Sequence, residues 1–337
     1  MTAQRATTPV VRCRLCDGPL VLDDGTARCL DGHVAASLRD IIDCRGAIVG
    51  FDVDADRRLA EELADMPTAS FEDLLRHYWS RQAGVAPDLV ERFVHGDLIG
   101  TQRAVAVADQ ISEVVGRATG PETVVLEIGA GTAALGTVLA RRAAHVVATD
   151  IGLAWLVLAA RRLADDGVAN VTLVAATADD LPFGPDEFDL VVAADVIEHV
   201  PDPLVMARSC YRVLRPGGAL WLSTPNRFSL TPEPHVRVWG VGFLPRSWGR
   251  RLVQRVRGVR YDDVHTHSVL QLRRTLAATR GTVRVSAPAI APAVQAGYPA
   301  ITRRLIAVYD VARRVPFVRQ LLLAITPLFH AVVEKRS

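Results

Sequence analysis

The sequence predicts an α/β protein with a doubly wound parallel sheet, a small cysteine-rich segment before it and a mostly helical extension after it. Three observations support this fold class: apolar runs that alternate with helical patterns, a glycine loop after the first of those runs, and a cysteine cluster near the N-terminus. The 337 residues, half of them hydrophobic, are enough for two or three domains with apolar cores.

Shifts in composition divide the chain into four parts. Residues 1–50 form the cysteine-rich segment, 51–118 a helical linker or cap, and 119–230 the ligand-binding core. Residues 231–337 form a cover over the binding pocket and then a run of basic and apolar helices. The N-terminus has no apolar core of a secretory signal, and the cysteines indicate a reducing compartment, so we expect a cytoplasmic protein.

The cysteine-rich segment has the spacing of a zinc site. Its ligands would be Cys13, Cys16, Cys29 and His33, in the pattern C-x2-C-x12-C-x3-H, with Cys44 as an alternative fourth ligand. Two close pairs joined by a short hairpin can surround one tetrahedral ion, and three thiolates with an imidazole suit zinc. Such a closed site has a structural role: it stabilises a ribbon that has little core of its own.

The core alternates strands with helices. Apolar residues at helical spacing predict helices over 71–79 and 104–118 ahead of the core, and over 133–143 and 152–167 within it. Buried parallel strands are predicted from continuous apolar runs, which cover 122–129, 145–150, 170–176, 188–195 and 219–224.

The glycine loop LEIGAGTAALG (126–136) follows the first strand of the core and opens a helix. Gly129 and Gly131 allow a sharp turn and a close approach of ligand to backbone. Glu127 would repel a pyrophosphate but attract the ammonium or sulfonium of S-adenosylmethionine (SAM), so the loop favours SAM over a dinucleotide. Asp150 ends the second strand, where an acid can accept both hydroxyls of a ribose, although it could also be a helix N-cap.

Five segments together resemble the successive motifs of class I SAM-dependent methyltransferases, most closely the ubiquinone-pathway O-methyltransferases. They are LEIGAGTAALG, VVATD, TADDLPF, FDLVVAADVIEHVPDP and VLRPGGALWLSTPN. The resemblance implies a seven-stranded Rossmann-like sheet that binds SAM at the carboxyl ends of its strands. It also implies the SAM-binding residues: Glu127, Gly129, Ala130 and Gly131 at the methionine half, Asp150 at the ribose, Ile151, Ala178 and Asp179 at the adenine, and Ala194 at the end of the fourth strand.

Acid and histidine side chains follow that fourth strand. The resemblance implies that Asp195, Glu198 and His199 could hold a divalent metal, while the alternative is that His199 contacts SAM or caps backbone. A methyl transfer to a hydroxyl needs a group that takes its proton, and histidine is suited to this near neutral pH. The candidate bases are His199, His235, His265 and His267.

The C-terminal third is basic, with a net charge of +14 from His235 onward against −12 for the rest. Such a third indicates an anionic neighbour, either a membrane surface or nucleic acid, unless it is a solvated arginine-rich surface. The apolar stretch 315–333 contains Arg319 and Pro327 and is predicted to be a buried or interfacial helix rather than a membrane span.

These observations favour a methyltransferase acting on a small, hydrophobic or lipid-linked acceptor, most simply on oxygen. The cysteine segment also resembles the zinc finger of bacterial rRNA guanine-N1 methyltransferases, so an rRNA base methyltransferase is the first alternative. A non-catalytic SAM-binding scaffold is the second. We expect a small-molecule acceptor, structural zinc and peripheral contact with an anionic membrane through the C-terminal third, and we favour these partners over nucleic acid.

Overall fold

A computed structural model describes residues 9–82, 87–116, 119–262, 264–290, 295 and 299–336. These residues form two compact units. The first unit contains Met1–Val192 and Arg212–Ala219, and the second contains Ala193–Tyr211 and Leu220–Arg336.

The N-terminal segment is a small antiparallel sheet of four strands. They are β1 (Leu20–Asp23), β2 (Thr26–Cys29), β3 (Val34–Leu38) and β4 (Ile41–Asp43). The first three coincide with the short β-like runs PLVLDD, TARCL and HVAAS of the sequence. The fourth has no such signal, because a buried Ile-Ile-Asp triplet is too short to show a period.

Four helices connect this segment to the core of the first unit. They are α1 (Val53–Ala64), α2 (Phe71–Ser80), α3 (Pro87–Leu98) and α4 (Gly100–Val115). The helix predicted over 71–79 is confirmed as α2, whose start is fixed by a capping box in which Ser70 and Asp73 satisfy each other's backbone N–H groups. The helix predicted over 104–118 is α4, and its residues 117–118 lie outside the described part of the chain.

The core of the first unit follows the predicted alternation. Its strands are β5 (Val124–Ile128), β6 (His145–Asp150), β7 (Val171–Ala175) and β8 (Phe188–Ala194), and its helices are α5 (Ala134–Ala140) and α6 (Leu153–Asp165). Every residue of β5 is buried, as expected for a parallel strand covered on both faces. Both β5 and β7 pair parallel with β6.

The N-terminal segment is not a separate module, because its last strand continues the core sheet. β4 pairs parallel with β7, with Ile42 opposite Val174 and Asp43 opposite Ala175. The strand order in the first unit is therefore β1-β2-β3-β4-β7-β6-β5-β8.

The second unit contains the end of the chain. Its elements are most of α7 (Pro203–Val213), the second half of β9 (Leu214–Pro225), α8 (Arg246–Arg257), α9 (Val269–Ala277), β10 (Thr282–Ser286), α10 (Ala300–Ala312), α11 (Pro316–Leu322) and β11 (Leu328–Glu334). β9 lies beside β11, which pairs antiparallel with β10. Strands β5–β11 supply the seven strands that the sequence predicts.

The prediction of a single helix over 315–333 is wrong. Helix α11 ends at Leu322, and β11 begins at Leu328 and buries Phe329–Val333. Pro327 cannot continue a helix, and the β-branched pair Val332 and Val333 suits a strand. Among the described residues, no helix has the length and apolarity needed to cross a membrane.

A buried charge cluster joins β4, α1 and α6 within the first unit. The guanidinium of Arg45 is fully buried and lies 2.8 Å from a carboxylate oxygen of Asp43 and 2.5 Å from one of Asp56. Arg45 also donates to the carbonyl oxygen of Ile151 at 2.7 Å, and Asp56 accepts from the backbone N–H of Leu153 at 2.8 Å. Asp56 thus satisfies the start of α6, which has no side-chain cap of its own.

We predict that Arg45→Ala lowers the free energy of unfolding by about 3–5 kcal/mol, because it leaves the poorly solvated Asp56 without a cation and leaves Asp43 with Arg57 alone. Urea denaturation followed by circular dichroism measures this loss. Arg76→Ala is the matched control: Arg76 also bridges two acids, Glu72 and Glu91, but its side chain is 42% exposed, so its loss should cost at most about 1 kcal/mol. Equal losses in the two variants would contradict the role given to Arg45.

Candidate functional site

The glycine loop between β5 and α5 is open on one side. Gly129 is exposed and has φ +69°, and Gly131 has φ +52°, so both are in the left-handed region that glycine adopts without strain. Among the described residues other than its two chain neighbours, none has a heavy atom within 4 Å of the position where Gly131 would carry a Cβ. Ala130 is buried, and its N–H donates to the carbonyl oxygen of Thr149 at 3.0 Å, which holds the loop against β6.

Asp150, at the end of β6, fixes this loop. One of its carboxylate oxygens accepts from the N–H of Gly131 and the other from the N–H of Gly152, both at 2.8 Å. Burial raises the pKa of Asp150 despite these hydrogen bonds. Gly152, not Asp150, is the N-cap residue of α6, which removes the helix-cap alternative for this acid.

Glu127 lies beneath the loop rather than on its open side. Its side chain is buried, and its Oε2 has no hydrogen-bond partner. Burial, together with the nearby charge of Asp150, raises the pKa of Glu127 to about 8. A cationic ligand on the open loop would offset this cost of burial and favour the ionised form of the two acids.

The residues expected at the adenine are held by the N-terminal segment. Ile151 is 38% exposed, and its carbonyl oxygen is the acceptor for Arg45. Ala178 and Asp179 are half-buried in a short turn closed by a bridge between Thr177 and Asp180. Asp180 forms a salt bridge with the guanidinium of Arg14, which lies between two of the cysteines. Sequence patterns missed Arg14 and Arg45 because the contacts that connect them to this region, with Asp180 and Ile151, are distant along the chain.

In the second unit, Ala194 ends β8 and is half-buried. Asp195 follows it with a left-handed φ of +55°, and its carboxylate accepts from the hydroxyl of Ser223 at 2.9 Å. Glu198 is fully buried: its Oε2 accepts from the hydroxyl of Thr224 at 2.9 Å, and its Oε1 has no partner. Burial and the charge of Asp195 raise the pKa of Glu198 to about 7.

Two of the four candidate histidines lie together. The rings of His199 and His235 are 5.0 Å apart between centroids and nearly perpendicular. Their ring nitrogens and a carboxylate oxygen of Glu198 all lie within 4.8 Å of one another. The acid–histidine group therefore consists of Glu198, His199 and His235, whereas the sequence predicted Asp195 as its third member.

His235 has an acidic partner that the sequence did not indicate. Its Nδ1 lies 2.6 Å from Oε1 of Glu233, and Glu233 also accepts from the backbone N–H of His235. Burial disfavours the imidazolium, but the hydrogen bond and charge of Glu233 outweigh it and raise the pKa of His235. A carboxylate on Nδ1 fixes the ring and leaves Nε2 to exchange a proton with another group.

The other two candidate histidines have different positions. His265 is exposed and joins the acid–histidine group through its backbone, whose N–H donates to the carbonyl oxygen of Glu198 at 2.7 Å. His267 is buried, its Nδ1 has no hydrogen-bond partner, and burial lowers its pKa to about 4. Its carbonyl oxygen accepts from the N–H of Arg227, so the backbone of His267 is held by a hydrogen bond.

The four predicted zinc ligands come together. Nδ1 of His33 lies 3.8 Å from Sγ of Cys13 and 3.5 Å from Sγ of Cys29, which is 3.5 Å from Sγ of Cys16. A tetrahedral zinc ion sets its ligands about 3.8 Å apart for two sulfurs and about 3.5 Å apart for sulfur and nitrogen, so the group fits the ion. Cys44 is outside this group, and burial raises the pKa of its thiol to about 12.

A hydrogen bond from the backbone of Leu15 lowers the pKa of Cys13 to about 7. This favours the thiolate form that a metal ion needs. Cys210, outside the cysteine segment, is fully buried, as expected for a small apolar side chain.

Comparison with known proteins identifies the class of the core. Residues 126–222 match the family model described as a methyltransferase domain. Together with the curated relatives below, this match supports the class I SAM-dependent methyltransferase core that the motifs predict.

The relatives are ubiquinone biosynthesis O-methyltransferases. Those of Pseudomonas aeruginosa strain UCBPP-PA14 and Pseudomonas fluorescens strain Pf-5 are 34% and 36% identical to this chain over 160 residues. The aligned region is 47% of this chain and 62% of each relative, so the chain spans less than two thirds of their length.

Solved structures of similar fold are more distant. A SAM-dependent methyltransferase of Mesorhizobium loti is 19% identical with a TM-score of 0.45 and aligns over 64% of this chain and 92% of its own. Haemonchus contortus phosphoethanolamine N-methyltransferase 2 is 16% identical with a TM-score of 0.48, over 82% and 60%.

Proposed function

We propose that this protein transfers the methyl group of SAM to a hydroxyl of a small, hydrophobic or lipid-linked acceptor. The observation that carries the proposal is the pairing of His235 with Glu233 beside Glu198 and His199. A positioned imidazole with a carboxylate on its other nitrogen is the arrangement that removes a proton from a weakly acidic hydroxyl. The similarity to ubiquinone biosynthesis O-methyltransferases supports oxygen as the methylated atom.

The chemistry is an in-line displacement. A lone pair of the acceptor oxygen forms a bond to the methyl carbon, the carbon–sulfur bond breaks, and its electrons return to sulfur, giving S-adenosylhomocysteine. The hydroxyl proton passes to Nε2 of His235, and the resulting imidazolium is stabilised by Glu233. The sulfonium is already an activated leaving group, so the protein mainly aligns the reactants and accepts this proton.

We assign the SAM contacts to the open glycine loop and its acids. Gly129, Gly131 and the buried Glu127 would hold the methionine half, where the two raised carboxyl pKa values favour a cation. Asp150 would accept the ribose hydroxyls, since each of its oxygens keeps a lone pair beyond the one used by a backbone N–H. Ile151 would pack on the adenine. Ala130, Ala178, Asp179 and Ala194 complete the proposed set.

The cysteine group is proposed as a structural zinc site. The four residues lie at the end of β2 and in the loops around it. The bound ion would stabilise this small antiparallel segment, which has little core of its own. All four ligands are protein atoms, so the site has no open position for a substrate.

One experiment distinguishes the proposed function from its two alternatives, RNA base methylation and a non-catalytic SAM-binding scaffold. The chain is incubated with radiolabelled SAM and a bacterial extract, which is then fractionated into RNA, lipid and small molecules. Label in the lipid or small-molecule fraction supports the proposal. Label in RNA would establish base methylation instead, and SAM binding without any transfer would establish a scaffold.

We predict that His235→Gln lowers the rate of methyl transfer by about 10²–10⁴-fold while the dissociation constant for SAM stays unchanged, because only proton removal is affected. Transfer into the labelled fraction and calorimetric titration of SAM measure the two quantities. His95→Gln, at an exposed position on α3, is the control and should leave both unchanged. A fully active His235→Gln enzyme would exclude this histidine as the base.

For Asp150→Ala we expect at least about 100-fold weaker SAM binding, since the hydrogen bonds from the N–H groups of Gly131 and Gly152 and the ribose acceptors are lost together. Calorimetry measures the affinity and elemental analysis the zinc content, which should not change. Asp109→Ala removes an exposed carboxylate that is paired with Arg142 away from the loop, and it serves as the control. Wild-type SAM affinity in Asp150→Ala would refute the assignment.

Cys29→Ser should reduce zinc from about one ion per chain to a small fraction, because a hydroxyl is a poor replacement for a thiolate. Mass spectrometry of the metal content after dialysis measures this. Cys44→Ser removes a nearby buried thiol that lies outside the cluster and should retain the ion. Loss of zinc in Cys44→Ser alone would show that the ligand set is wrong.

A further inference from the structure

Helix α10 carries its large apolar side chains on the side that faces solvent. Ile301, Leu305 and Val308 recur at helical spacing and are 65%, 64% and 67% exposed. Ile306, on the opposite side, is 5% exposed and packs inward. The usual amphipathic arrangement buries the apolar side of a helix and exposes a polar one. Here a second apolar side is left uncovered by the residues that the structure describes.

The next helix also exposes large apolar side chains. In α11, Phe317 and Leu321 are one turn apart and are 74% and 59% exposed, and Val315 just before the helix is 46% exposed. We call the six side chains the apolar stripe: Ile301, Leu305, Val308, Val315, Phe317 and Leu321. A concentration of large exposed apolar residues within 21 residues of sequence marks an interaction surface.

Arginines accompany the apolar stripe. Arg303, Arg304, Arg314 and Arg319 are exposed in the same two helices and the turn between them. The single acid between residues 299 and 325 is Asp310, which lies 2.8 Å from Arg313 and is neutralised by it. The surface is therefore both apolar and positively charged.

We propose that the apolar stripe docks the protein onto an anionic lipid surface, with the stripe inserted between headgroups and the four arginines bound to lipid phosphates. Apolar side chains gain free energy when they leave water, and arginines near an anionic leaflet add electrostatic attraction. Neither helix is long enough to span a bilayer, so the segment lies on the surface.

Charge favours a membrane over the other occupants. A second copy packed on the stripe would bring four exposed arginines of one chain against four of the other, and these like charges would repel. An RNA would match the arginines but would leave most of the apolar side chains in contact with water. An anionic bilayer satisfies both features at once. This inference goes beyond the proposed function and does not rest on it.

The test uses the full chain and co-sedimentation with vesicles. One set of vesicles is pure phosphatidylcholine, and the other contains about 30% phosphatidylglycerol, which gives the surface a negative potential. We expect binding to the anionic vesicles and at least about tenfold weaker binding to the neutral ones. Failure to bind anionic vesicles would overturn the proposal.

The stripe is tested by the triple variant Leu305→Ser, Val308→Ser and Phe317→Ser. We expect its binding to anionic vesicles to fall at least about tenfold. The matched control Val21→Ser, Val34→Ser and Val49→Ser removes three apolar side chains that are 61%, 55% and 96% exposed elsewhere, and it should bind like wild type. Circular dichroism and SAM titration establish that both variants are folded.

Two results would assign the stripe to another occupant. Equal vesicle binding by the stripe variant and the control would show that lipid contacts lie elsewhere. A wild-type dimer in analytical ultracentrifugation that the stripe variant converts to a monomer would make a second copy the occupant. Either result overturns the membrane proposal while leaving the methyl-transfer proposal untouched.

Discussion

The carboxylate of Asp150 is the interaction on which the ligand-binding part of the first unit depends. One oxygen holds the glycine loop after β5 and the other holds the start of α6, so a single side chain sets the distance between two neighbouring strand ends. Burial raises the pKa of that carboxylate, so its anionic form costs free energy. The hydrogen bonds from the two backbone N–H groups reduce this cost. The open loop above it keeps its shape before any ligand arrives, which lowers the entropy lost on binding.

Most of the core could be predicted from the sequence because its signals are local. Continuous apolar runs fixed the strands β5–β8, and the alternation with helical patterns fixed the parallel sheet. The tail showed the limit of this reasoning: residues 328–334 are as apolar as a buried helix, and only their pairing with β10 shows that they form a strand. The strand β4 was missed for the same reason, since three residues define no period and its partner β7 is more than a hundred residues away.

The sequence predicted most of the residues of the candidate site but not which of them lie next to one another. Cys13, Cys16, Cys29 and His33 converge because their spacing along one hairpin already requires it. Glu233 could not be found, because an acid two residues before a histidine is common and only the backbone turn directs it to Nδ1 of His235. The sequence predicted Asp195 in the acid–histidine group where the structure has His235. This difference too depends on how the backbone folds, here in a loop rich in Pro and Gly.

The pairing of β4 with β7 changes how the N-terminal ribbon should be regarded. A domain appended through a linker can be removed or exchanged without harm to its neighbour, but this ribbon occupies the hydrogen-bonding edge of the catalytic sheet. A chain trimmed back to the segment that matches the methyltransferase family would expose the backbone of β7 as an unpaired rim, the kind of surface through which sheets of different molecules aggregate. With the proposed zinc ion in the ribbon, metal supply would govern how much of this protein a cell keeps in usable form, independently of how fast each molecule turns over.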